Sequence, residues 1–152
     1  MKLSVPNAVA LMFSISVLVA FTSFVPVKQG IEGYVYMVTG NQMPTIGVKR
    51  PASKGIRTTL YIYELTNTSQ VVKPDESPFY SSINTKLVRR VTSNSKGYFS
   101  VQLPPGRYSV FARKGSLYFS NIFDDKNNIF PVQVLPKKMA KVEFTINYNA
   151  VY

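Results

Sequence analysis

A cluster of basic residues in and beside one Gly- and Pro-punctuated stretch is the first candidate for chemistry. Its cationic members are Lys49, Arg50, Lys54 and Arg57. Ammonium and guanidinium groups bind phosphate, sulfate or carboxylate groups through charge-assisted hydrogen bonds. The preceding turn, Asn41, Gln42 and Met43, adds two amide side chains and one soft apolar side chain. These seven residues form the predicted binding site, and a solvated, solubilising loop is the alternative.

Oxygen-bearing side chains crowd a second short run, which contains Asp124, Asp125, Asn127 and Asn128. Carboxylate and amide oxygens are ligands that calcium needs. The run lacks the spaced acidic residues and the bidentate Glu of an EF-hand. An Asx-rich turn before the next strand explains the same residues. We favour the turn, so the sequence predicts no metal site, with these four residues as the calcium alternative.

Aromatic side chains offer a third kind of surface. If Val35, Leu60, Ile62, Phe99 and Val110 point into the core, the opposite strand faces carry Tyr34, Tyr36, Tyr61, Tyr63, Tyr98 and Phe111. An exposed aromatic patch usually marks an interaction site, such as one for a sugar or a protein. The alternative is that loops or the other sheet cover these rings.

The chain contains no His and no Cys. It therefore has no Ser–His nucleophile pair, no imidazole base for neutral pH, and no disulfide or Cys-ligated metal. A Lys, Tyr or carboxylate could still act as an acid or base, but the sequence shows no paired arrangement. We therefore predict that the protein is not an enzyme and uses no cofactor.

Alternating apolar and polar residues place these side chains on β-strands. The clearest alternation lies in 98–103 and 139–148, and further strands are predicted in 31–38, 57–65, 85–92, 107–113 and 129–135. The strands on either side of Pro104-Pro105-Gly106 are predicted to pair as a hairpin. The predicted core includes Phe99, Val101, Tyr108, Val110, Phe144 and Ile146. Two long connections, 39–56 and 66–83, interrupt the pattern, and the first is the predicted functional loop.

The residues around the predicted hairpin follow a sequence motif that is similar to that of a known family. It runs from a polar turn through Gly97-Tyr98-Phe99 and Pro105-Gly106 to Tyr108-Ser109-Val110, and Ile31-Glu32-Gly33-Tyr34-Val35 matches the family's first strand. In these motifs the chain resembles the carboxypeptidase-regulatory-like domains of exported bacterial proteins. The resemblance implies an all-β fold, a roughly seven-stranded antiparallel, Ig-like (transthyretin-like, or prealbumin-like) β-sandwich. It specifies a fold and no chemistry.

The N-terminus has the features of an export signal. Lys2 precedes an apolar run over residues 8–21, which is typical of a secretory signal peptide. An uncleaved membrane anchor is the alternative, because a spanning helix needs about 20 apolar residues. The sequence thus predicts a hydrophobic signal helix or anchor over residues 1–27 and one β-sandwich domain over 28–152. The protein is expected in the periplasm or at the cell surface.

The net charge of +11 favours acidic partners. At a cell envelope these are an anionic glycan or an acidic envelope protein. Nucleic acid is not expected, because export and the lack of a binding motif argue against it. Contact with a membrane is expected only through an uncleaved N-terminal segment. The predicted function is a non-catalytic exported module for binding or assembly at the bacterial cell envelope. The alternative is a carbohydrate-binding module that recognises an anionic glycan through aromatic and basic residues.

Overall fold

The computed structural model describes residues 28–44, 46–47 and 52–152. These residues form one 3-10 turn, Thr68–Gln70, and twelve strands: β1 (Gly30–Asn41), β2 (Lys54–Gly55), β3 (Thr59–Glu64), β4 (Val71–Val72), β5 (Phe79–Tyr80), β6 (Ser82–Ile83), β7 (Leu87–Thr92), β8 (Tyr98–Gln102), β9 (Gly106–Lys114), β10 (Leu117–Phe119), β11 (Pro131–Val134) and β12 (Met139–Val151). Within the same residues, no helix has the length and apolar character needed to cross a membrane. The predicted signal or anchor, residues 1–27, lies outside the described part of the chain.

The seven predicted strands are present as β1, β3, β7, β8, β9, β11 and β12. Strand β1 continues to Asn41, beyond its predicted end, because Thr39, Gly40 and Asn41 pair with the end of β12. The strands that were not predicted have only two or three residues each, which is too short to show an alternation. The all-β class is therefore confirmed. Strand β2 lies in the 39–56 connection, β4 to β6 lie in 66–83, and β10 lies between the predicted strands 107–113 and 129–135.

The first sheet is built around β1. Strand β12 lies on one side of β1, and β8 and β2 lie end to end on the other side. Strands β1 and β12 are parallel, with Val35 opposite Phe144. The prediction of a wholly antiparallel sandwich is wrong at this pair. Parallel strands need a long connection, and the chain between β1 and β12 provides it.

The second sheet is antiparallel throughout. Its strand order is β5-β10-β9-β3-β7, and β11 also pairs with β9. Strands β4 and β6 form a separate two-stranded sheet. Apolar residues from both large sheets share one core, as expected for a β-sandwich. The six predicted core residues are all buried in it, which confirms the predicted faces of β8, β9 and β12.

The predicted hairpin at Pro104-Pro105-Gly106 is wrong. Strand β8 pairs with β1, whereas β9 pairs with β3, so this connection carries the chain from one sheet to the other. The Tyr108 hydroxyl donates a hydrogen bond to the Pro104 carbonyl oxygen at 2.8 Å, which fixes the corner. The inward side chains of β8 and β9 then meet across the core. Alternation identifies the buried face of a strand but does not identify its partner.

The outer face of the second sheet is partly covered. Tyr63, Tyr80, Phe111 and Ile129 form a second buried cluster on this face. Part of the cover comes from the 66–83 connection, because Val71 of β4 and Ile83 of β6 pack against the cluster. Strand β9 is consequently buried on both faces from Tyr108 to Ala112. This long connection therefore has a structural role in the described chain.

Candidate functional site

The structure divides the six candidate aromatic residues between two surfaces. Val35, Leu60, Ile62, Phe99 and Val110 are buried between the sheets, so the expectation that the aromatics point the other way is confirmed. Tyr34, Tyr36 and Tyr98 belong to the first sheet, whereas Tyr61, Tyr63 and Phe111 belong to the second. Tyr63 and Phe111 are buried under the 66–83 connection. The six residues therefore do not form one aromatic face.

The tyrosine face, as we name Tyr34, Tyr36 and Tyr98, lies on the outside of the first sheet. Tyr34 and Tyr36 follow one another on the same side of β1, and their rings are stacked with centroids 6.0 Å apart and planes at 15°. Tyr98 stands opposite Tyr34 on β8, with its ring edge-on at 5.5 Å. Tyr34 is 42% exposed and Tyr98 is 38% exposed. The strand pairing thus presents three neighbouring rings, two of them well exposed.

Charged side chains line a groove of about 440 Å³ beside the tyrosine face. Its lining includes Glu32, Lys141 and Glu143 together with Tyr34 and Tyr98. The parallel register sets Lys141 opposite Glu32 and Glu143 opposite Tyr34. The Tyr98 hydroxyl lies 3.3 Å from Glu32 Oε2 and donates to it. This arrangement offers hydrogen-bond acceptors and one cationic donor next to exposed rings.

The sequence did not single out Glu32, Lys141 or Glu143. Each lies on the polar side of an alternating strand, so the alternation of β1 and β12 was the signal available. Their convergence depends on the parallel pairing of β1 with β12, which the sequence did not predict.

Arg57 is the predicted basic residue that adjoins the tyrosine face. It lines a recess of about 690 Å³ with Asn94 and Tyr98. The backbone around it is fixed by Ser93, whose Oγ accepts the Thr58 N–H at 2.9 Å and donates to the Ile56 carbonyl at 2.8 Å. Tyr98 therefore borders both the groove with the carboxylates and the recess with Arg57.

Asn41, Gln42 and Met43 lie at the far end of β1, beside the end of β12. The Gln42 N–H donates to the Val151 carbonyl at 2.7 Å, and Asn41 Oδ1 accepts the Met43 N–H at 2.8 Å. The Met43 side chain is exposed. This turn is therefore well defined by hydrogen bonds and presents its surface at one end of the first sheet.

The remaining basic residues of the predicted site are not all at that end. Lys54 pairs with Met37 on β1, several residues before Asn41. Lys49 and Arg50 lie outside the described residues. Lys54 and Arg57 therefore do not lie beside the Asn41–Met43 turn, because Lys54 pairs with β1 at Met37 and the turn follows the end of β1.

The run from Asp124 to Asn128 forms the Asx turn that we favoured. Asp124 Oδ1 accepts the N–H groups of Lys126 at 3.0 Å and Asn128 at 2.8 Å, while Oδ2 accepts the Asn128 side-chain amide at 2.9 Å. The hydrogen bond from the Asn128 side chain is the main cause that lowers the pKa of Asp124, and Arg107, 3.5 Å away, adds to it. Both carboxylate oxygens thus already face N–H donors.

Over the described ranges, no group of three or more His, Cys, Asp or Glu side chains is placed to hold a metal ion. The prediction of no metal site stays a prediction, and calcium binding by Asp124, Asp125, Asn127 and Asn128 stays its alternative. A bound cation would have to compete with the N–H donors that hold the turn.

A second groove of about 440 Å³ lies between β11 and β12, where Val132 and Val142 contribute to its lining. Exposed Ile122 and Phe123 stand at this groove. Among the described strands, β12 pairs only with β1 and β11 pairs only with β9. The groove combines these apolar side chains with Gln133, Lys141 and Glu143. It lies beside two strand edges that the described residues leave unpaired.

The outer side of the first sheet thus brings two exposed tyrosines, one of them stacked on Tyr36, next to two carboxylates and a lysine, and Arg57 adjoins them in the neighbouring recess. Comparison with protein-family models, with curated protein sequences and with solved structures gave no match. The ligand is accordingly inferred from the chemistry of these side chains.

Proposed function

We propose that this chain is a non-catalytic, exported β-sandwich module that binds its ligand at the bacterial cell envelope, and that this ligand is a carbohydrate. The observation that carries the proposal is the near-parallel stacking of Tyr34 on Tyr36 beside the exposed ring of Tyr98. The C–H face of a sugar ring packs on an aromatic ring, while its hydroxyl groups need polar partners at the edge of the ring.

The polar partners are present on both sides of the rings. Glu32 and Glu143 can accept hydrogen bonds from sugar hydroxyls, and Lys141 can donate. Arg57, in the recess that shares Tyr98, can bind a carboxylate on an acidic sugar through two parallel hydrogen bonds. The anionic-glycan proposal therefore depends on Arg57, and stacking depends on the tyrosine face.

We also infer that the chain is a transthyretin-like domain of the carboxypeptidase-regulatory-like kind. The glycine of the motif Gly97-Tyr98-Phe99 supports this inference. Gly97 has a φ of +86°, and a Cβ at this position would lie 2.3 Å from the Val35 carbonyl oxygen. A glycine is therefore required where the turn meets the first motif strand.

The test is calorimetric titration of the full-length protein with neutral and uronic-acid-containing polysaccharides. Tyr34→Ala and Tyr98→Ala should each weaken binding about tenfold or more, because stacked aromatic anchors usually dominate a binding site. Tyr152→Ala is the matched control, since Tyr152 is an exposed tyrosine away from the face. Arg57→Gln should weaken only the acidic polysaccharides. Equal effects of all the tyrosine variants, or no binding by the unmodified protein, would contradict the proposal.

Assembly with an envelope protein is the second candidate function, and the groove between β11 and β12 favours it. An extended segment of a partner could add to the edge of β12 and place apolar side chains against Ile122 and Phe123. A pull-down from envelope extract should therefore lose its specific partner when both residues are changed to Ser. The control changes Val72 and Leu135, two other exposed apolar residues, to Ser. Retention of the partner by the groove variant would exclude this site.

A further inference from the structure

Two arginines and two tyrosines converge on the outer face of the second sheet. Tyr61 on β3 pairs across the sheet with Arg90 on β7, and Tyr118 on β10 pairs with Arg113 on β9. Both arginines are exposed, and both tyrosines are half-buried. We name these four residues the arginine–tyrosine patch. They come from four different strands, so only the sheet brings them together.

Aromatic rings hold both guanidinium groups in place. The Cζ atoms of Arg90 and Arg113 lie 5.3 and 5.9 Å from the centroid of the Tyr61 ring. Arg113 also lies 5.5 Å from the centroid of Tyr118, whose ring stands edge-on to Tyr61 at 85°. Contacts of this kind attract the cation to the ring face. An arginine that is held before binding loses less conformational entropy when it captures a ligand.

No carboxylate of the described chain neutralises the patch. The one ion pair within the described residues joins Arg107 to Asp124. The four strands of the patch contain a single acidic residue, Glu64, at the end of β3. Two like charges beside one ring repel each other, and an anion bound next to them would offset that repulsion.

Hydrogen-bond donors also remain available on both arginines. Arg113 uses Nε to donate to the Gly115 carbonyl at 2.9 Å, and an interaction with the Tyr61 hydroxyl raises its pKa further. Arg90 donates no side-chain hydrogen bond to any described residue, and its contact is with the ring of Tyr61. A guanidinium group has five N–H donors in a planar fork that matches the oxygens of a phosphate or sulfate group.

We propose that the arginine–tyrosine patch is a second binding site, which holds a sulfate or phosphate group carried on a polysaccharide. This site lies on the opposite outer face from the tyrosine face and does not depend on the function proposed for that face. The rings of Tyr61 and Tyr118 provide apolar surface for the sugar that carries the anion.

A lipid surface fits the patch less well than a polysaccharide. A membrane-bound face normally inserts apolar side chains beside its basic residues. None of the large exposed apolar residues in the described ranges lies on β3, β7, β9 or β10.

Calorimetric titration of the full-length protein with dextran sulfate, at about 0.15 M ionic strength, tests this inference. The double variant Arg90→Gln/Arg113→Gln should bind roughly tenfold or more weakly, because each arginine supplies charge-assisted hydrogen bonds. The control Lys137→Gln/Lys138→Gln removes the same charge from the exposed turn between β11 and β12 and should change binding much less. Tyr61→Leu keeps both charges and should weaken binding severalfold, which identifies the role of the ring.

Each other outcome overturns the inference. Equal losses in the arginine and lysine double variants would show attraction by net charge alone. Binding to vesicles of anionic phospholipid but not to dextran sulfate would make the site a membrane contact. Dextran sulfate binding that falls with Tyr34→Ala but not with Arg90→Gln/Arg113→Gln would place the sulfate at the tyrosine face and overturn this inference without touching the function proposed for that face. Thermal unfolding of each variant confirms that the protein is folded when binding is measured.

Discussion

Replacing Phe144 by Ala tests the arrangement of the core most directly. Phe144 is only 1% exposed and lies on β12 opposite Val35. Its ring centroid is 4.9 Å from that of Phe130 and 6.4 Å from that of Phe119. The side chain thus joins the first sheet to residues of the opposite side of the core.

The expected loss of stability follows from this burial. Burying a phenylalanine side chain contributes about 1.5–3 kcal/mol through removal of apolar surface from water. The cavity left by Ala adds to that loss, so Phe144→Ala should lower the free energy of unfolding by about 3–5 kcal/mol. Domains are stable by only about 5–15 kcal/mol, so this change removes a large share. Phe144→Leu should cost less, because it leaves a smaller cavity.

Urea unfolding followed by far-UV circular dichroism and tyrosine fluorescence measures the loss, since the chain has no Trp. Asn149→Ala, at an exposed position of the same strand, is the control and should change stability by no more than about 0.5 kcal/mol. A loss below about 1 kcal/mol for Phe144→Ala would refute the argument. If Glu143→Ala or Thr145→Ala then caused a large loss, β12 would be shifted by one residue, which moves every side chain to the other face.

Four further predictions concern the turn, the pH, the first long loop and the N-terminus. Gly97→Ala should cost about 1–3 kcal/mol in the same assay, because its φ of +86° is strained for Ala; unchanged stability would contradict the turn geometry. Burial raises the pKa of the Tyr80 hydroxyl to about 12 from 10.0. The unfolded state therefore loses this proton at a lower pH than the folded state. The free energy of unfolding keeps the full contribution of Tyr80 below about pH 10 and falls by about 2–3 kcal/mol up to about pH 12. Tyr80→Phe should therefore lose less stability between about pH 9 and 11 than the unmodified protein, and identical losses would assign the pH effect to other groups. A short Gly/Ser linker in place of 45–54 should change stability by only about 0.6 kcal/mol. An envelope partner whose binding this linker abolishes, and that the Ile122 and Phe123 variant retains, would be held by the first long loop as the sequence predicted, whereas the reverse result would assign it to the groove between β11 and β12. The intact mass of the exported protein should place its N-terminus between Thr22 and Gly30, whereas a mass that includes Met1 would support the anchor.

The faces of the strands could be predicted from the sequence because alternation is a local property. Phe99, Val110 and Phe144 are buried where the pattern placed them. The pairing of strands could not be predicted in the same way, because it depends on contacts between distant parts of the chain. The corner at Pro104 and the parallel β1–β12 pair are both of this kind.

In the candidate sites, too, the direction of a side chain could be predicted from the sequence, whereas its neighbours on other strands could not. The outward direction of Tyr34, Tyr36 and Tyr98 followed from the pattern, but the contact of Tyr98 with Tyr34 depends on the register of β1 and β8. Phe111 was expected on an aromatic face and is buried, because the 66–83 connection contains apolar residues that cover it. Arg90 and Arg113 have no special spacing in the sequence, and only the sheet places them on one ring.

The parallel pairing of β1 and β12 has a mechanical consequence. A twelve-residue strand is about 40 Å long, so Gly30 and Val151 lie at opposite ends of the first sheet. A pulling force applied to these two residues would load the β1–β12 ladder along its length, in shear. All its hydrogen bonds would then have to break together, whereas an antiparallel pair pulled from one end opens one bond at a time. Under tension between those points, the β1–β12 pair is therefore loaded in the direction in which its hydrogen bonds share the force.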